Sequence, residues 1–184
     1  MILSASYQLE KAMLWNQEWA NNLVKTKKPI FLVDAMLGKL AKKLRLLGYD
    51  TIYSSNKDDD ELIQIAKTEK RILVTKDVQL VKKCIKKQVE TIELAGLDEI
   101  EQFIQINERV NLGKLFIKGF NSRCTMCNGV LEIIEKKYVQ NSIPIGVLEN
   151  TEKFWKCKNC KKIYWEGTHI TNLQKFMAKL NDRL

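Results

Sequence analysis

An α/β fold, a parallel sheet flanked by helices with a small C-terminal zinc ribbon, is predicted by three features of the sequence. Between Ile30 and Asp77, short β-branched runs alternate with segments of helical period, the pattern of strand–helix–strand units with right-handed crossovers. The first strand, IFLV, is continuously apolar, as in strands buried on both faces of a parallel sheet. Beyond about residue 119 the composition changes to cysteines, aromatics and short alternating segments, with two C-x-x-C pairs. In a chain without an export signal these pairs suit a metal better than disulfides.

Residues 1–28 place Leu9, Ala12, Met13, Trp19, Ala20, Leu23 and Val24 on one stripe, which predicts a helical extension packed on the main domain. Pro29 ends it. Ile30–Val33 is the first strand. Met36, Leu37, Leu40, Ala41, Leu44 and Leu47 then form an apolar helical stripe, with Lys39, Lys42, Lys43 and Arg45 mainly outside it, and Gly48 is the helix stop. Thr51–Tyr53 is the second strand and Asp59 to Glu69 the next helix. Arg71–Thr75 is the third strand, followed by a helix with Val78, Val81, Cys84 and Ile85 inward. On it Cys84 reads as a small buried hydrophobe, and its lysines as a solvated face. Val89–Ile92 is a fourth strand, and a helix runs from Leu97 to about Val110. The expected units are therefore 1–28, a helical extension; 29–118, the α/β domain; 119–170, the ribbon; and 171–184, a terminal helix carrying Leu173, Phe176, Met177 and Leu180 on one side.

The 184 residues carry 31 Lys and Arg against 22 Asp and Glu, a formal net charge of +9. Such an excess favours polyanionic partners, nucleic acid first. No run of about 18 apolar residues exists to cross a membrane. The start, MILSASYQLEKAML, lacks the hydrophobic segment of a signal peptide, so a cytoplasmic location is expected. Oligomeric state is not written in these patterns.

An aspartate follows each of the first three strands: Asp34, the Asp58–Asp60 run, and Asp77. Parallel strands share a direction, so these loops leave one edge, where open α/β sheets place their ligands. Clustered carboxylates repel unless a cation neutralises them, and Mg²⁺ or Mn²⁺ suits oxygen donors. Each aspartate also stands where a helix N-cap belongs, so position alone leaves cap and metal ligand both open.

The stretches FLVDAMLGKLAKKLRLLGYDT and DDDELIQIAKTEKRILVTKD resemble the PIN-like Mut-seven C-terminal RNase family, and the similarity runs over about residues 30–170. The resemblance implies a PIN-like fold and a divalent-metal-dependent ribonuclease that hydrolyses phosphodiester bonds. By position it implies Asp34, Asp59 and Asp77 as ligands of Mg²⁺ or Mn²⁺, with Asp60 a close substitute for Asp59. A fourth acid, present in many PIN nucleases, has no assigned place; Glu93 and Asp98 are the candidates. An IYWEGTH segment is also shared with the family, which makes the surroundings of His169 structural.

Cys124, Cys127, Cys157 and Cys160 suit a closed tetrahedral site for structural Zn²⁺. The 29 residues between the two pairs must form a hairpin or loop, expected near Ser142-Ile-Pro144. His169, the single histidine, reads as a core or surface residue, since four cysteines saturate zinc. Lys39, Lys42, Lys43, Arg45, Lys156 and Lys158 are candidate RNA contacts. The ribbon aromatics Tyr138, Phe154, Trp155, Tyr164 and Trp165 divide between its core and base stacking. Two readings of function remain beside each other: a ribonuclease aided by a ribbon that grips RNA, and a catalytically silent RNA-binding module. A toxin-like nuclease held by a protein partner is a third.

Overall fold

A computed structural model of the chain describes residues 28–96 and 98–184, apart from the side chains of Phe120 and His169. The expected helix at 1–28 lies outside the described residues except for Lys28. So do the expectations for Leu97 and His169.

Strands β1 (Phe31–Val33), β2 (Thr51–Tyr53), β3 (Ile72–Thr75) and β4 (Thr91–Glu93) form one sheet in the order β2-β1-β3-β4. All of its pairings are parallel. The crossovers are α1 (Gly38–Leu46), α2 (Asp59–Glu69) and α3 (Val78–Lys86), with α4 (Glu99–Val110) after β4. Period-2 side-chain alternation divides the core between the two faces. Phe31, Val33, Ile72, Val74 and Ile92 pack against Leu40 and Leu44 of α1 and Phe103 and Ile106 of α4. Leu32 and Leu73 pack against Leu62, Ile63 and Ala66 of α2 and Leu80 and Cys84 of α3. Because α1 covers one face and α3 the other, the winding reverses between β1 and β3. That reversal opens a crevice at the carboxyl ends of the two strands.

Among the described residues the sequence-predicted strands and helices are present, with two changes of face. Met36 is 71% exposed because Ala35–Leu37 is a 3-10 turn, whose tighter winding carries the side chain off the α-helical stripe. On α3 the buried side chains are Leu80, Val81 and Cys84, while Val78 and Ile85 are 47% and 68% exposed. The stripe is centred between Leu80 and Val81, which leaves Val78 and Ile85 at its margin. Gly48 stops α1 with a φ of +86°, and its missing Cβ also leaves room for the carbonyl of Asn121, which lies against it.

The second sheet is antiparallel: β5 (Leu131–Ile134), β6 (Phe154–Cys157) and β7 (Ile163–Trp165), in the order β5-β6-β7. The spacer expected to be a hairpin or loop contains a 3-10 turn, Lys136–Tyr138, and a short helix, α5 (Ile145–Asn150), entered from Pro144. Phe154 and Trp155 are both buried, Tyr164 and Trp165 are half-buried, and Tyr138 is exposed. Trp155 is thus a core residue, close-packed on Gly119, and is withdrawn from base stacking.

Helix α6 (Thr168–Asn181) returns to the first core, where Met177 and Leu180 are buried. Phe176 meets Phe103 edge-on at 6.2 Å, and the Asn181 side chain bonds both the amide and the carbonyl of Leu115. The chain therefore closes on the sheet domain after passing through the ribbon.

Asp50, just before β2, accepts hydrogen bonds from Arg71 (2.6 Å) and from the Asn128 amide (3.0 Å), and pairs with Arg123 at 3.4 Å. Burial alone pushes its carboxyl up, but the bonds from Arg71 and Asn128 outweigh that and hold it below the usual aspartate value. A depressed folded pKa means stability that is present above the unfolded value, near 4, and lost as pH falls through the folded one. Asp50→Asn is expected to melt lower than wild type at pH 7. The gap in Tm should close below about pH 4, and a gap unchanged down to pH 3 would count against the assignment. Comparing the two proteins at each pH cancels acid effects they share.

Candidate active edge and metal centre

The carboxyl edge is built by strand ends and helix starts. Asp34 leaves β1 with its amide bonded to the Val74 carbonyl (3.1 Å), and one carboxylate oxygen accepts from the Ala35 amide. Its other oxygen accepts a 2.7 Å bond from the Thr75 hydroxyl, at the end of β3. The same hydroxyl oxygen accepts from the Asp77 amide at 2.9 Å. Thr75, fully buried, thus ties Asp34 to Asp77 across the crevice. One oxygen of Asp77 caps α3 through the amides of Gln79 (2.7 Å) and Leu80 (3.2 Å). Its other oxygen has no hydrogen-bond partner among the described residues.

The aspartate run separates by role. Asp58 is the N-cap of α2, in a reciprocal capping box with Glu61. Asp59, half-buried, pairs with Lys83 of α3 at 2.8 Å, and Asp60 is exposed. The hydrogen bond from Lys83 to Asp59, with the field of Asp59, Asp60 and Asp77, holds that ammonium above the usual lysine value. A cation thus already pairs with one of these carboxylates. Cap and ligand are not exclusive, since the caps on Asp34 and Asp77 each use one oxygen of two. Among the described residues, the carboxylates do not close into a set of three at metal-binding distance; the four cysteines do. Glu93 is exposed at the end of β4, and Asp98 caps α4 through the Ile100 amide.

A cleft of about 770 Å³ adjoins this edge, lined by Lys39 and Lys42 of α1, Tyr53, Lys76 of the β3–α3 loop, and Asp98 and Glu99. The neighbouring basic residues of α1 are employed elsewhere. Lys43 pairs with Glu99 at 2.7 Å and lies over the Phe176 ring at 4.5 Å. Arg45, expected to face solvent and RNA, is only 5% exposed. Its guanidinium donates to the carbonyls of Thr51 (2.8 Å), Thr125 (2.8 Å) and Met126 (3.3 Å). It is a bracket between the sheet domain and the first cysteine knuckle, and no surface remains on it for a phosphate. In the ribbon, Lys156 lies on β6 and the exposed Lys158 pairs with Glu132 at 3.6 Å.

The knuckles are near copies of each other. Asn128 follows Cys127 at φ 65°, and Lys161 follows Cys160 at φ 64°. Each returns its amide to the carbonyl of the first cysteine of its pair, at 2.9 and 3.1 Å. The four sulfurs lie within 4.8 Å of one another, with Cys124–Cys160 at 3.5 Å and Cys127–Cys157 at 3.4 Å. A tetrahedron with Zn–S bonds of about 2.3 Å has edges near 3.8 Å, so the sulfurs fit a structural zinc ion. Cys124 and Cys157 are buried, while Cys127 and Cys160 are exposed. Burial pushes the Cys124 thiol up, but bonds from the Tyr164 hydroxyl and from the Cys127 and Met126 amides outweigh it and bring it down to about 6. Cys160 is raised to about 12: the Lys162 amide lowers it, but burial and the neighbouring sulfurs prevail. Four thiols this close ionise together only around a cation.

Asp34 and Asp77 lie on either side of Thr75, and the four cysteines gather in a separate cluster. Thr75, Lys76 and the bracket role of Arg45 were missed. Thr75 had a signal in the T-K-D order at a strand end; Arg45 had none, because its partners are 80 and 81 residues away.

No curated protein and no solved structure matches the chain. A family model does, the Mut7-C RNAse domain, over residues 29–177. That span takes in the parallel sheet with its aspartate edge, the cysteine centre and most of α6, and the chain belongs to the Mut7-C RNAse domain family.

Proposed function

We propose that this protein is a divalent-metal-dependent ribonuclease whose reacting edge is Asp34, Asp59 and Asp77, with Asp60 beside them, and whose ribbon holds a structural zinc. Beside the match to a family of RNase domains, one observation carries the reading: Thr75 couples Asp34 and Asp77 at the crevice where the winding of the sheet reverses. The all-oxygen donor set fits Mg²⁺ or Mn²⁺, and such an ion, when bound, would lower the pKa of water and offset charge on a phosphodiester. The chain's own part is positional. Asp34 and Asp77 are fixed by one hydroxyl and by their caps, and each keeps carboxylate lone pairs for a ligand. Asp59 pairs with Lys83, whose ammonium a divalent ion would displace.

The ribbon's part in RNA binding follows from Lys156 and Lys158, at some distance from the reacting phosphate. Its first knuckle touches Thr51 and Asp50, at the amino end of β2, and the aspartates stand at the carboxyl end. A strand of three residues separates the two edges by about 10 Å.

Zinc-loaded protein in metal-depleted buffer is expected to cleave labelled single-stranded RNA when Mn²⁺ is added and not without it. Asp77→Asn keeps a good cap and should fold normally, yet lose at least about tenfold in rate, roughly 1.4 kcal/mol of barrier. RNA bound tightly but left intact under every condition would replace the nuclease with the silent binding module. That second reading has one observation in its favour, the occupation of Asp59 by Lys83.

A further inference from the structure

Resting on the ribonuclease reading, we propose that the cleft beside the aspartate edge is a subsite for one or two unpaired nucleotides, with Lys39, Lys42 and Lys76 on the backbone phosphates. Its volume, about 770 Å³, falls in the range of small-molecule sites, and a base can enter such a hollow only when it is not paired. Lys39 and Lys42 are exposed and three residues apart on α1, hence on one helix face. Lys76 comes from a different element and stands between Thr75 and Asp77, so a phosphate on its ammonium is one residue from the reacting edge. Two separate elements supplying lysines to one hollow is the arrangement that tracks a strand's backbone.

The other wall carries Asp98 and Glu99. The Asp98 carboxylate repels phosphate and confines the backbone to the lysine side, while Glu99 is neutralised by Lys43. The hollow also has apolar surface for a base. Tyr53 is half-buried with its hydroxyl donated to the Ala35 carbonyl at 3.0 Å, which fixes the ring. Gly38 admits that ring, since a Cβ would come within 3.1 Å of its hydroxyl. Met36, at the rim and 71% exposed, is flexible enough to lie against any base. Lys43 contributes nothing directly; its pairing with Glu99 holds α1 and α4 together as the two walls.

The test is fluorescence anisotropy of a labelled ten-nucleotide RNA with full-length, zinc-loaded protein, using Ca²⁺ in place of Mn²⁺, with Mn²⁺-dependent cleavage measured in parallel. Lys76→Ala and the double variant Lys39→Ala/Lys42→Ala are expected to weaken binding at least about fivefold, and Lys76→Ala should lower the salt slope by about one. A control pair at the exposed C-terminal end of α3, Lys86→Ala/Lys87→Ala, should stay within about twofold. The single strand should bind more tightly than a hairpin duplex of the same sequence. Cleft variants that bind like wild type, or a duplex that binds more tightly, would overturn the subsite while wild-type cleavage leaves the nuclease standing. Wild-type protein that neither binds nor cleaves the RNA would overturn both.

Discussion

Cys157→Ser, or stripping zinc with a chelator, is expected to lower the stability of the whole chain and not of the ribbon alone. The ribbon has little core of its own: Cys124, Leu131, Trp155 and Cys157 in one cluster, and Val139, Ile143 and Phe154 in another. So small a module would depend mainly on a zinc ion in its four-cysteine cluster, and zinc in such sites contributes about 10 kcal/mol of folding free energy. The loss would reach the sheet domain because the first knuckle is wired into it. Arg45 bonds the carbonyls of Thr125 and Met126, Asn128 bonds both the Thr51 amide and Asp50, and the Ser122 hydroxyl bonds the Leu46 carbonyl at 2.6 Å. Helix α6, which completes the first core, also begins only after β7. The expected result is one zinc released per chain and a single melting transition displaced downward by well over 10 °C, with tryptophan fluorescence and far-UV circular dichroism changing together. Acid should act the same way, since protons compete with metal for thiolates. A sheet-domain transition that stays where it was after zinc leaves would show the coupling to be absent.

Arg45→Met is expected to cost about 3 kcal/mol, read as a lower midpoint in urea. The methionine keeps much of the buried stem, so the loss isolates the guanidinium. Hydrogen bonds from a charged donor contribute about 1.5–3 kcal/mol each, and a buried carbonyl left without a donor costs about 1–3 kcal/mol. Three carbonyls depend on Arg45, partly offset by the desolvation its charge no longer suffers. Arg45→Lys should recover little, because one ammonium lacks the planar fork that reaches the Thr51 carbonyl and the knuckle at once. In folded Arg45→Met, RNA affinity and its salt slope should match wild type. A reduced salt slope would return Arg45 to the phosphate contacts.

The same residue measures how far the sequence could be read. The sheet, its helices and the placement of Asp34, Asp77 and the four cysteines were legible because each depends on near neighbours. Strand runs, the caps at Asp58 and Asp77, and the knuckle spacing are all set within a few residues. Where local geometry departed from the ideal, the reading slipped: the 3-10 turn turned Met36 outward, and a small rotation of the α3 stripe exposed Val78 and Ile85.

By itself, then, the sequence determined an α/β domain with an aspartate at three strand ends, a four-cysteine centre and a basic surface. Tertiary structure decided which charges face what. Lys39, Lys42, Lys43 and Arg45 share one short helix and are nearly equivalent as sequence. Yet two line a cleft, one pairs with Glu99 beneath Phe176, and one is buried against a knuckle some 80 residues away. It also docked the cysteine centre at the amino edge of the sheet, opposite the aspartates. The physical reason is that periodicity records only which side of a helix is apolar. Whether its polar side meets water, nucleic acid or another part of the chain depends on contacts between distant residues, and these exist only once the sheet has closed and the ribbon has docked.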